Sequence, residues 1–509
     1  MSHALPTVVE VPEVPEVIVV GGGMGGLSAA IALAGAGKRV RLYERGALGG
    51  KVGTVVVDGI EVDTGASVLT LPSVVANVLA RAGLRLDEHL ELVRPAPAFR
   101  YHFGDGRDLD VFVSLDNTLA SVRDVLGADA ADDLGAFLAS AARIWRASSD
   151  RFVFAAAPTL AQMAALALRQ PRALIDVDPL RNMASAIAAQ VRSPELRLLL
   201  LRYATYNGSD PWRAPATLNC ISHVELALGG FGVKGGMAAL TRVLVDAASG
   251  LGVDVQTGHV DGVVVESGVV VGVDVNGAVV RCGAVVVNAD VGWLRTATPA
   301  AAKALLSSSS LAPSMSGATA VLRARRRAER PAHAVVFSAN YREEARDIFE
   351  RLRPPKAPTV YLCAQEKAHL REGWADDEPL FAMVNTPPIG VHNDGALDDD
   401  CLERGLDLAR GRGLLDANDE VVWRRSAREL AALFPGSAGS LYGAASNDRR
   451  AAFLRPKNAV TGIRGLYLAS GSAHPGGGVP LCLQSGLLAA DALLAAGQSA
   501  ERGVKRRVV

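Results

Sequence analysis

A strand, a glycine-rich turn and a helix follow one another near the start of the chain, and an acidic residue ends the next strand. The apolar, β-branched run 17–20 leads into a GxGxxG pattern, behind which small residues predict a helix. Gly21 permits a tight turn, Gly23 lets a pyrophosphate approach the backbone, and Gly26 lets helix and strand pack closely. Glu44 ends the second strand, about 20 residues on, where its carboxylate can accept hydrogen bonds from ribose hydroxyls. The stretch therefore predicts a dinucleotide-binding unit.

Composition limits the class of protein. Of the 509 residues 49% are hydrophobic, enough for a large core, and the 53 basic residues equal the 53 acidic ones in number. Neither this balance nor the basic run 322–331, which lacks interleaved aromatic residues, predicts nucleic-acid binding. The five cysteines are scattered without a CxxC pair, which favours a reducing, cytosolic setting over disulfides or a zinc site. We expect neither a signal peptide nor a membrane-spanning helix, because no apolar run approaches ~18 residues.

A second GxGxxG pattern, at 230–235, also precedes a predicted helix. When the strand behind that helix is aligned with the first unit, Thr257 falls where Glu44 stands, so the ribose acceptor is missing. We therefore expect this stretch to add a helix and a strand to the same nucleotide-binding domain, rather than to form a second nucleotide site. Short strands with turn signals follow and predict a small β-meander that returns to the domain at 285–290.

Near the other end of the chain, residues 465–496 again predict a strand, a turn of small residues and a helix, which Pro480 opens. A turn of this kind lets the backbone lie close against a flat or charged group. This segment is therefore a candidate second wall of the nucleotide site.

Stretches spread along the chain match one family. They are the N-terminal fingerprint 17–54, "VDTGASVLT" (62–70), "YNGSDPWRAPA" (206–216), "KGGMAAL" (234–240), "VVVNAD" (285–290), "FSANYREEARDIF" (337–349) and "GLYLASGSAHPGGGVP" (465–480). Through them the chain resembles, over nearly its whole length, the phytoene desaturases of the bacterial and fungal type, which are FAD-dependent carotenoid desaturases. Ala66 and Lys234 depart from the usual pattern, since proline is common at both places. The ending "PLCLQSG" resembles more closely the desaturases of hydroxylated or otherwise processed carotenoids.

The resemblance implies an α/β fold. It comprises a Rossmann-like FAD-binding domain of the two-dinucleotide-binding-domain flavoprotein type, a mixed α+β substrate domain and a helical membrane-facing insertion. In this division 1–95, 216–300 and 441–509 build the FAD-binding domain in three parts. Residues 96–215 form the helical region that faces substrate and membrane, and 301–440 form the substrate-binding domain.

The resemblance also implies which residues hold FAD. A second glycine pair followed by lysine flanks the pyrophosphate and ribityl chain, an Asp-x-Gly turn lies near the flavin, and the terminal turn wraps the flavin end. The helix that follows aims its N-terminus, with roughly half a positive charge, at the ring. The expected cofactor-binding residues are Gly21, Gly23, Gly26, Glu44, Gly49, Gly50, Lys51, Asp63, Gly65, Gly471, His474, Pro475, Gly476 and Val479. His474 is either a ring contact or a turn residue, with a catalytic base as the weaker alternative, and no catalytic residue or metal ligand is assigned.

The region 152–181 has apolar stretches that end at Arg169, Arg172 and Arg181. By itself it is either a core helix pair with solvated arginines or a patch that rests on a bilayer. A carotenoid stays in the membrane because burying each CH₂ is worth ~0.8 kcal/mol, so an enzyme acting on one needs an apolar tunnel that opens at the lipid. The resemblance thus implies an acyclic carotenoid substrate, a cytoplasmic enzyme in peripheral contact with membrane lipid, and other carotenoid-pathway enzymes as candidate partners. The basic tail 502–507 is either a headgroup contact or a solvated terminus.

The implied reaction is a dehydrogenation, in which hydride passes from an allylic C–H to the flavin and a neighbouring proton is lost. The cofactor, and apolar side chains that position the substrate, supply most of the catalysis. Two substrate types stay open, phytoene and a 1-hydroxycarotenoid desaturated at its 3,4 bond. The alternatives are a carotenoid isomerase or saturase on the same scaffold, a flavin-binding scaffold without turnover, and a flavin amine oxidase. The last needs an aromatic cage, and a chain with 5% aromatic residues displays no such cluster.

Overall fold

A computed structural model of the chain describes residues 16–158, 180–306, 311–390, 392–448 and 455–507, together with positions 162, 169, 177 and 178. Side chains are described up to residue 498. Several predictions made above lie outside these residues, namely those for the first fifteen positions, for Arg172 and most of the apolar stretch before it, and for the side chains of the basic tail.

The strands of the described residues are numbered in chain order. They are β1 (Val17–Val20), β2 (Val40–Glu44), β3 (Thr54–Val57), β4 (Ile60–Asp63), β5 (Leu92–Val93), β6 (Phe99–His102), β7 (Asp108–Val111), β8 (Gly232–Val233), β9 (Asp254–Thr257), β10 (Val260–Glu266), β11 (Val269–Val275), β12 (Ala278–Arg281), β13 (Ala284–Val287), β14 (Ser316–Arg325), β15 (His333–Val336), β16 (Val360–Ala364), β17 (Asp377–Thr386), β18 (Glu420–Arg425) and β19 (Leu466–Leu468).

The α-helices range from four residues to the long C-terminal helix. They are Met24–Gly35, Pro72–Ala80, Leu86–His89, Leu115–Leu126, Ala128–Ser148, Met183–Ala188, Pro194–Arg202, Cys220–Leu226, Met237–Gly250, Val291–Ala297, Pro299–Ala304, Tyr341–Phe349, Gln365–His369, Asp398–Gly411, Ala427–Leu433 and Val479–Arg507. Short 3₁₀ turns span Tyr203–Asn207 and Ala216–Asn219, and a π turn spans Ser149–Val153.

Five strands form a parallel sheet in the order β19-β13-β1-β2-β9. Successive side chains of a strand point to opposite faces, so the apolar run of β1 is buried on both sides. Val17 and Val19 pack with the first and last helices, whereas Ile18 and Val20 pack against the three-stranded antiparallel sheet β10-β11-β12. The strand behind the second glycine pattern, β9, pairs with β2, and the meander returns at β13 beside β1, as the sequence predicts.

A second, mixed sheet has seven strands in the order β18-β14-β17-β16-β15-β6-β7. Its strands pair antiparallel except at β15 and β6, which run parallel. The expectation that the chain is helical from residue 96 is wrong for β6 and β7, which close one edge of this sheet. The signal was present in the alternation of Phe99, Tyr101 and Phe103, because a period of two is typical of a strand.

The C-terminal helix packs closely across the N-terminal helix Met24–Gly35. A Cβ placed on Gly486 would lie 2.3 Å from the carbonyl oxygen of Gly25, and the hydroxyl of Ser28 donates to the carbonyl of Leu483 at 2.7 Å. Within the described residues Val479–Gln498 alone is long and apolar enough to cross a membrane, judged by length and composition, and 56% of its most apolar stretch is buried inside the protein. Burial of this kind is typical of a helix in a protein core.

Candidate functional site

A cavity of about 1300 Å³ lies between the parallel sheet and the seven-stranded sheet. Its walls include residues at the carboxyl ends of β1, β2 and β13, the edge at which open α/β sheets bind ligands. Most of the residues expected to hold the cofactor line it: Gly21, Gly23, Glu44, Gly49, Gly50, Lys51, Gly65, Gly471, His474, Pro475 and Val479.

The first glycine turn presents backbone to the cavity at the start of the N-terminal helix. No side chain caps this helix at Gly23, so its first N–H groups are open to a ligand. The Glu44 carboxylate accepts hydrogen bonds of 2.8 Å from the backbone N–H groups of Gly22 and Gly46. These contacts hold the carboxylate beside the turn, at the end of β2.

The second glycine pair lies directly against the first turn. Gly49 and Gly50 have φ angles of +103° and +62°, a region that favours glycine. The backbone N–H of Gly49 donates to the carbonyl of Gly22 at 2.8 Å. Lys51 follows, and its Nζ donates to the carbonyl of Ser440 at 2.6 Å. Burial lowers the pKa of Lys51, while the charge of Asp290 opposes that change.

Three of the expected residues do not line the cavity. Gly26 lies behind it, where a Cβ would meet the carbonyl oxygen of Gly21 at 2.0 Å, so it serves close packing. The Asp63 carboxylate accepts hydrogen bonds from the backbone N–H groups of Met237 and Ala238, which start the helix behind the second glycine pattern. Asp63 therefore holds that helix against β4 instead of facing a ligand. Gly476, with φ +139°, lies beside the guanidinium of Arg455.

The terminal turn joins the cavity wall from the other end of the chain. His474 Nε2 lies 2.9 Å from the carbonyl oxygen of Ala155, and because a carbonyl can only accept, the ring donates from Nε2. Burial lowers the pKa of the ring. This bond ties the turn to the helical region. Arg455 donates to the carbonyl of Gly471 at 3.1 Å, and burial lowers its pKa to about 10. The helix that follows begins at Val479, one residue before the expected Pro480.

Asn288 is a site residue that sequence reasoning missed. Its Oδ1 accepts from the backbone N–H of Gly23 at 2.9 Å, and its Nδ2 donates to the carbonyl of Ala469. The residue thus links the first glycine turn to the end of β19. Its position in the family stretch "VVVNAD", directly behind a buried strand of the same sheet, was the available signal.

The structure also brings together an aromatic cluster that composition did not reveal. The guanidinium of Arg202 lies between 5.4 and 5.8 Å from the centroids of four rings, those of Phe99, Tyr101, Tyr206 and Tyr361. Arg202, Tyr206 and Tyr361 line the cavity. Composition could not reveal this cluster, because its members come from three separate parts of the sequence, 99–101, 202–206 and 361.

The residues around the turns fit a flavin dinucleotide. An uncapped helix N-terminus suits a pyrophosphate, and the Glu44 carboxylate suits ribose hydroxyls. A Cβ on Gly50 would come 3.1 Å from the Cα of Gly23, so larger side chains would crowd this cradle. Within the described ranges no group of three or more His, Cys, Asp or Glu side chains could hold a metal ion.

Comparisons with known proteins agree with this fit. The family described as "Flavin containing amine oxidoreductase" matches residues 24–378. The hydroxyneurosporene desaturase of Rubrivivax gelatinosus is 34% identical over 513 aligned residues, which cover 97% of this chain and 95% of the relative. That of Rhodobacter capsulatus is 34% identical over 94% of this chain and 98% of the relative.

Among solved structures, an oxidoreductase from Methanosarcina mazei is similar, with a TM-score of 0.62 and 16% identity. The likeness covers 92% of this chain and 98% of that one. At this identity it shows the fold alone.

Proposed function

Because the chain belongs to the flavin-containing amine oxidoreductase family and, within it, to the carotenoid desaturases, we propose that it is an FAD-dependent desaturase of acyclic carotenoids that carry a hydroxyl group at one end. The observation that carries this proposal is one continuous cavity whose walls join a dinucleotide-binding turn to apolar side chains. The two relatives named as hydroxyneurosporene desaturases support the hydroxylated substrate, and the 3,4 bond is the one we propose is oxidised.

When bound, FAD would act as the two-electron acceptor that takes the hydride of an allylic C–H, and the second hydrogen would leave as a proton. Oxygen or a quinone must then reoxidise the cofactor. The chain's own part is to bind and to position. The glycine turns and Glu44 hold the nucleotide, while apolar residues such as Ile221, Val224, Phe381 and Met383 line the cavity. These side chains hold a hydrocarbon without competing water and fix its register against the cofactor.

A polar amine is a poorer candidate substrate, despite the aromatic cluster. The ring faces that could attract an ammonium group already surround the guanidinium of Arg202. An ammonium group would have to displace this guanidinium to reach the ring faces. The occupied rings therefore favour the carotenoid desaturase over an amine oxidase.

Expression in two pigment-producing bacteria tests the function. One strain makes phytoene, and the other makes a 1-hydroxylated acyclic carotenoid. We expect a bathochromic shift of the extracted pigment, with loss of two hydrogens by mass, in the second strain alone. An unchanged mass would indicate an isomerase, a gain of two hydrogens a saturase, and a shift confined to the first strain a phytoene desaturase. No change in either strain would contradict desaturation.

We further propose that the enzyme works in the cytoplasm at the surface of a membrane, with the helical region as a membrane-facing insertion. Phe152, Val153 and Pro158, at the start of the apolar stretch, line the cavity, and Leu180 at its end is 74% exposed. An opening there would let a hydrocarbon pass between lipid and cavity. The same location would let the enzyme exchange intermediates with other carotenoid-pathway enzymes.

Liposome sedimentation tests this location. We expect the purified protein to sediment with liposomes, and Leu180→Asp to reduce the bound fraction severalfold, because a charge at the lipid surface opposes insertion. Val279→Asp is the matched control, since Val279 is 54% exposed on β12 of the three-stranded sheet. Equal binding of Leu180→Asp and the unaltered protein would contradict the proposed membrane face.

A further inference from the structure

Four cations line the cavity, of which Arg455 is buried and the others are half-buried, and backbone carbonyls hold all but Arg202. Lys51, Arg425 and Arg455 each donate hydrogen bonds to main-chain oxygens. The fourth, Arg202, ends the helix Pro194–Arg202, and its guanidinium has one long hydrogen bond, 3.4 Å from the hydroxyl of Tyr101. No other hydrogen-bond acceptor reaches this guanidinium from the described part of the chain. Most of its five N–H donors are therefore available to a ligand.

The four aromatic rings explain why an arginine can be held here without an ion pair. Each ring face attracts a cation within about 6 Å, and the attraction grows when water is excluded. Two of the rings, Phe99 and Tyr101, lie on β6, and Tyr361 lies on β16, so the seven-stranded sheet fixes their positions. The cluster is thus a rigid, apolar surround for one charged group that faces the cavity.

Glu225 is a buried acidic side chain of this cluster. It is 4% exposed and accepts a hydrogen bond from the hydroxyl of Tyr203 at 3.0 Å. Burial raises the pKa of Glu225, and the charge of Arg202 opposes that rise. Because an acidic side chain already lies near the guanidinium, a second carboxylate gains little here. A neutral hydrogen-bond acceptor, such as a hydroxyl oxygen, is the better match.

We propose that Arg202 donates a hydrogen bond to the terminal hydroxyl of the carotenoid and thereby makes the enzyme specific for the hydroxylated end. This assignment rests on the proposed function. An end without a hydroxyl would leave charged donors facing hydrocarbon, which costs far more affinity than a change in apolar packing. Arg202 is therefore the residue that determines which end of the polyene enters and where along it the reacting C–H lies.

The test uses full-length, FAD-loaded protein and carotenoids in liposomes. The substrates are a 1-hydroxylated acyclic carotenoid, the same carotenoid without the hydroxyl, and one that ends in a carboxylate. The variants are Arg202→Met, which replaces the guanidinium by an apolar chain, and Arg202→Met combined with Glu225→Gln, which leaves no uncompensated buried charge. Arg197→Met is the control, because Arg197 lies on the same helix and donates to the carbonyls of Val191 and Ala188, outside the cavity.

We expect the ratio of kcat/KM for the hydroxylated over the unhydroxylated carotenoid to fall about tenfold to a hundredfold in both Arg202 variants, the range for a lost hydrogen bond to a charged group. The flavin absorbance should stay unchanged, and Arg197→Met should keep the ratio of the unaltered enzyme. An active Arg202 variant with an unchanged ratio would overturn the assignment, as would preference of the unaltered enzyme for the carboxylate. If the unaltered enzyme oxidises none of the three, the proposed function itself fails.

Discussion

The side-chain oxygen of Asn288 lies 2.9 Å from the backbone nitrogen of Gly23, although 265 residues separate the two. The amide nitrogen of the same side chain donates to the carbonyl of Ala469. A single residue thus joins the first glycine turn to the strand that leads into the terminal turn. Because both turns line the cavity, the two ends of the chain meet at the cofactor site through this amide.

Asn288→Ala should weaken FAD binding by about tenfold or more, because the loss of two partly buried hydrogen bonds lets the turns separate. The free energy of unfolding should fall by roughly 1–3 kcal/mol. Flavin titration of the apoprotein and denaturant unfolding measure the two effects. Asn117→Ala, at an exposed position in the helix Leu115–Leu126, should change neither. An unaltered affinity for FAD in Asn288→Ala would show that the amide link is not needed.

Gly486→Ala should destabilise the protein, because the added methyl would lie 2.3 Å from the carbonyl oxygen of Gly25 and force the first and last helices apart. Overpacking of this kind costs about 1–3 kcal/mol, which thermal unfolding can measure as a lower Tm. Gly497→Ala, in the same helix, meets nothing within 4 Å and should be neutral or stabilising by up to about 1 kcal/mol. Equal Tm values for the two variants would contradict the close crossing.

Glu44→Gln should reduce the affinity for FAD by about tenfold, because a charged acceptor of ribose hydroxyls becomes a neutral one. Binding of FMN, which lacks the adenosine half, should change much less. Isothermal titration with both flavins separates these effects, with Glu266→Gln, exposed at the end of β10, as the control. A parallel loss of FAD and FMN affinity would indicate that Glu44 acts only through the turn at Gly22.

The parts of the site that could be predicted are those that depend on neighbouring residues. A glycine turn between a strand and a helix is a local pattern, so the first turn and Glu44 were found at the cavity. Asp63 was placed at the flavin by resemblance, whereas its partner is the helix that begins at Met237, far along the chain. Nothing near Asp63 in the sequence indicates that helix.

The aromatic cluster shows the same limit more strongly. Tyr101 and Tyr361 become neighbours of Arg202 only through the pairing order of the seven-stranded sheet, in which β6 is next to β15 and β15 next to β16. A count of aromatic residues contains no information about this order. The strands β6 and β7 were missed for a related reason, since the helices that follow them dominate the composition of the region.

Glu344 should make stability depend on pH. It is 3% exposed, accepts a hydrogen bond from the hydroxyl of Thr359 at 2.6 Å, and burial raises its pKa to about 7. A glutamate in the unfolded chain has a pKa of about 4.3. Above that pH the folded state therefore binds more protons at Glu344 than the unfolded state does. The contribution of Glu344 to stability is therefore present at low pH and is lost as the pH rises toward and past 7, by up to about 3 kcal/mol.

Glu344→Gln removes this titration, so the gain in Tm over the unaltered protein should be larger at pH 8 than at pH 5. Glu343→Gln is the control, because Glu343 pairs at the surface with Arg346 and Arg351, and those arginines lower its pKa. That variant should keep the loss of stability toward high pH. If the Tm of Glu344→Gln differed from that of the unaltered protein by the same amount at pH 5 and at pH 8, the raised pKa of Glu344 would be contradicted.

The parallel sheet receives its last strand, β19, only after residue 466 has been synthesised, and the helix that packs across Met24–Gly35 comes later still. A nascent chain therefore carries the first glycine turn through the synthesis of more than four hundred further residues before the wall that encloses it is made. Yellow colour should appear only after the terminal turn has been synthesised and folded, so bound cofactor reports that both walls of the site are in place. Fragments that stop before β19 should emerge colourless and expose the apolar face of the N-terminal helix to chaperones and proteases.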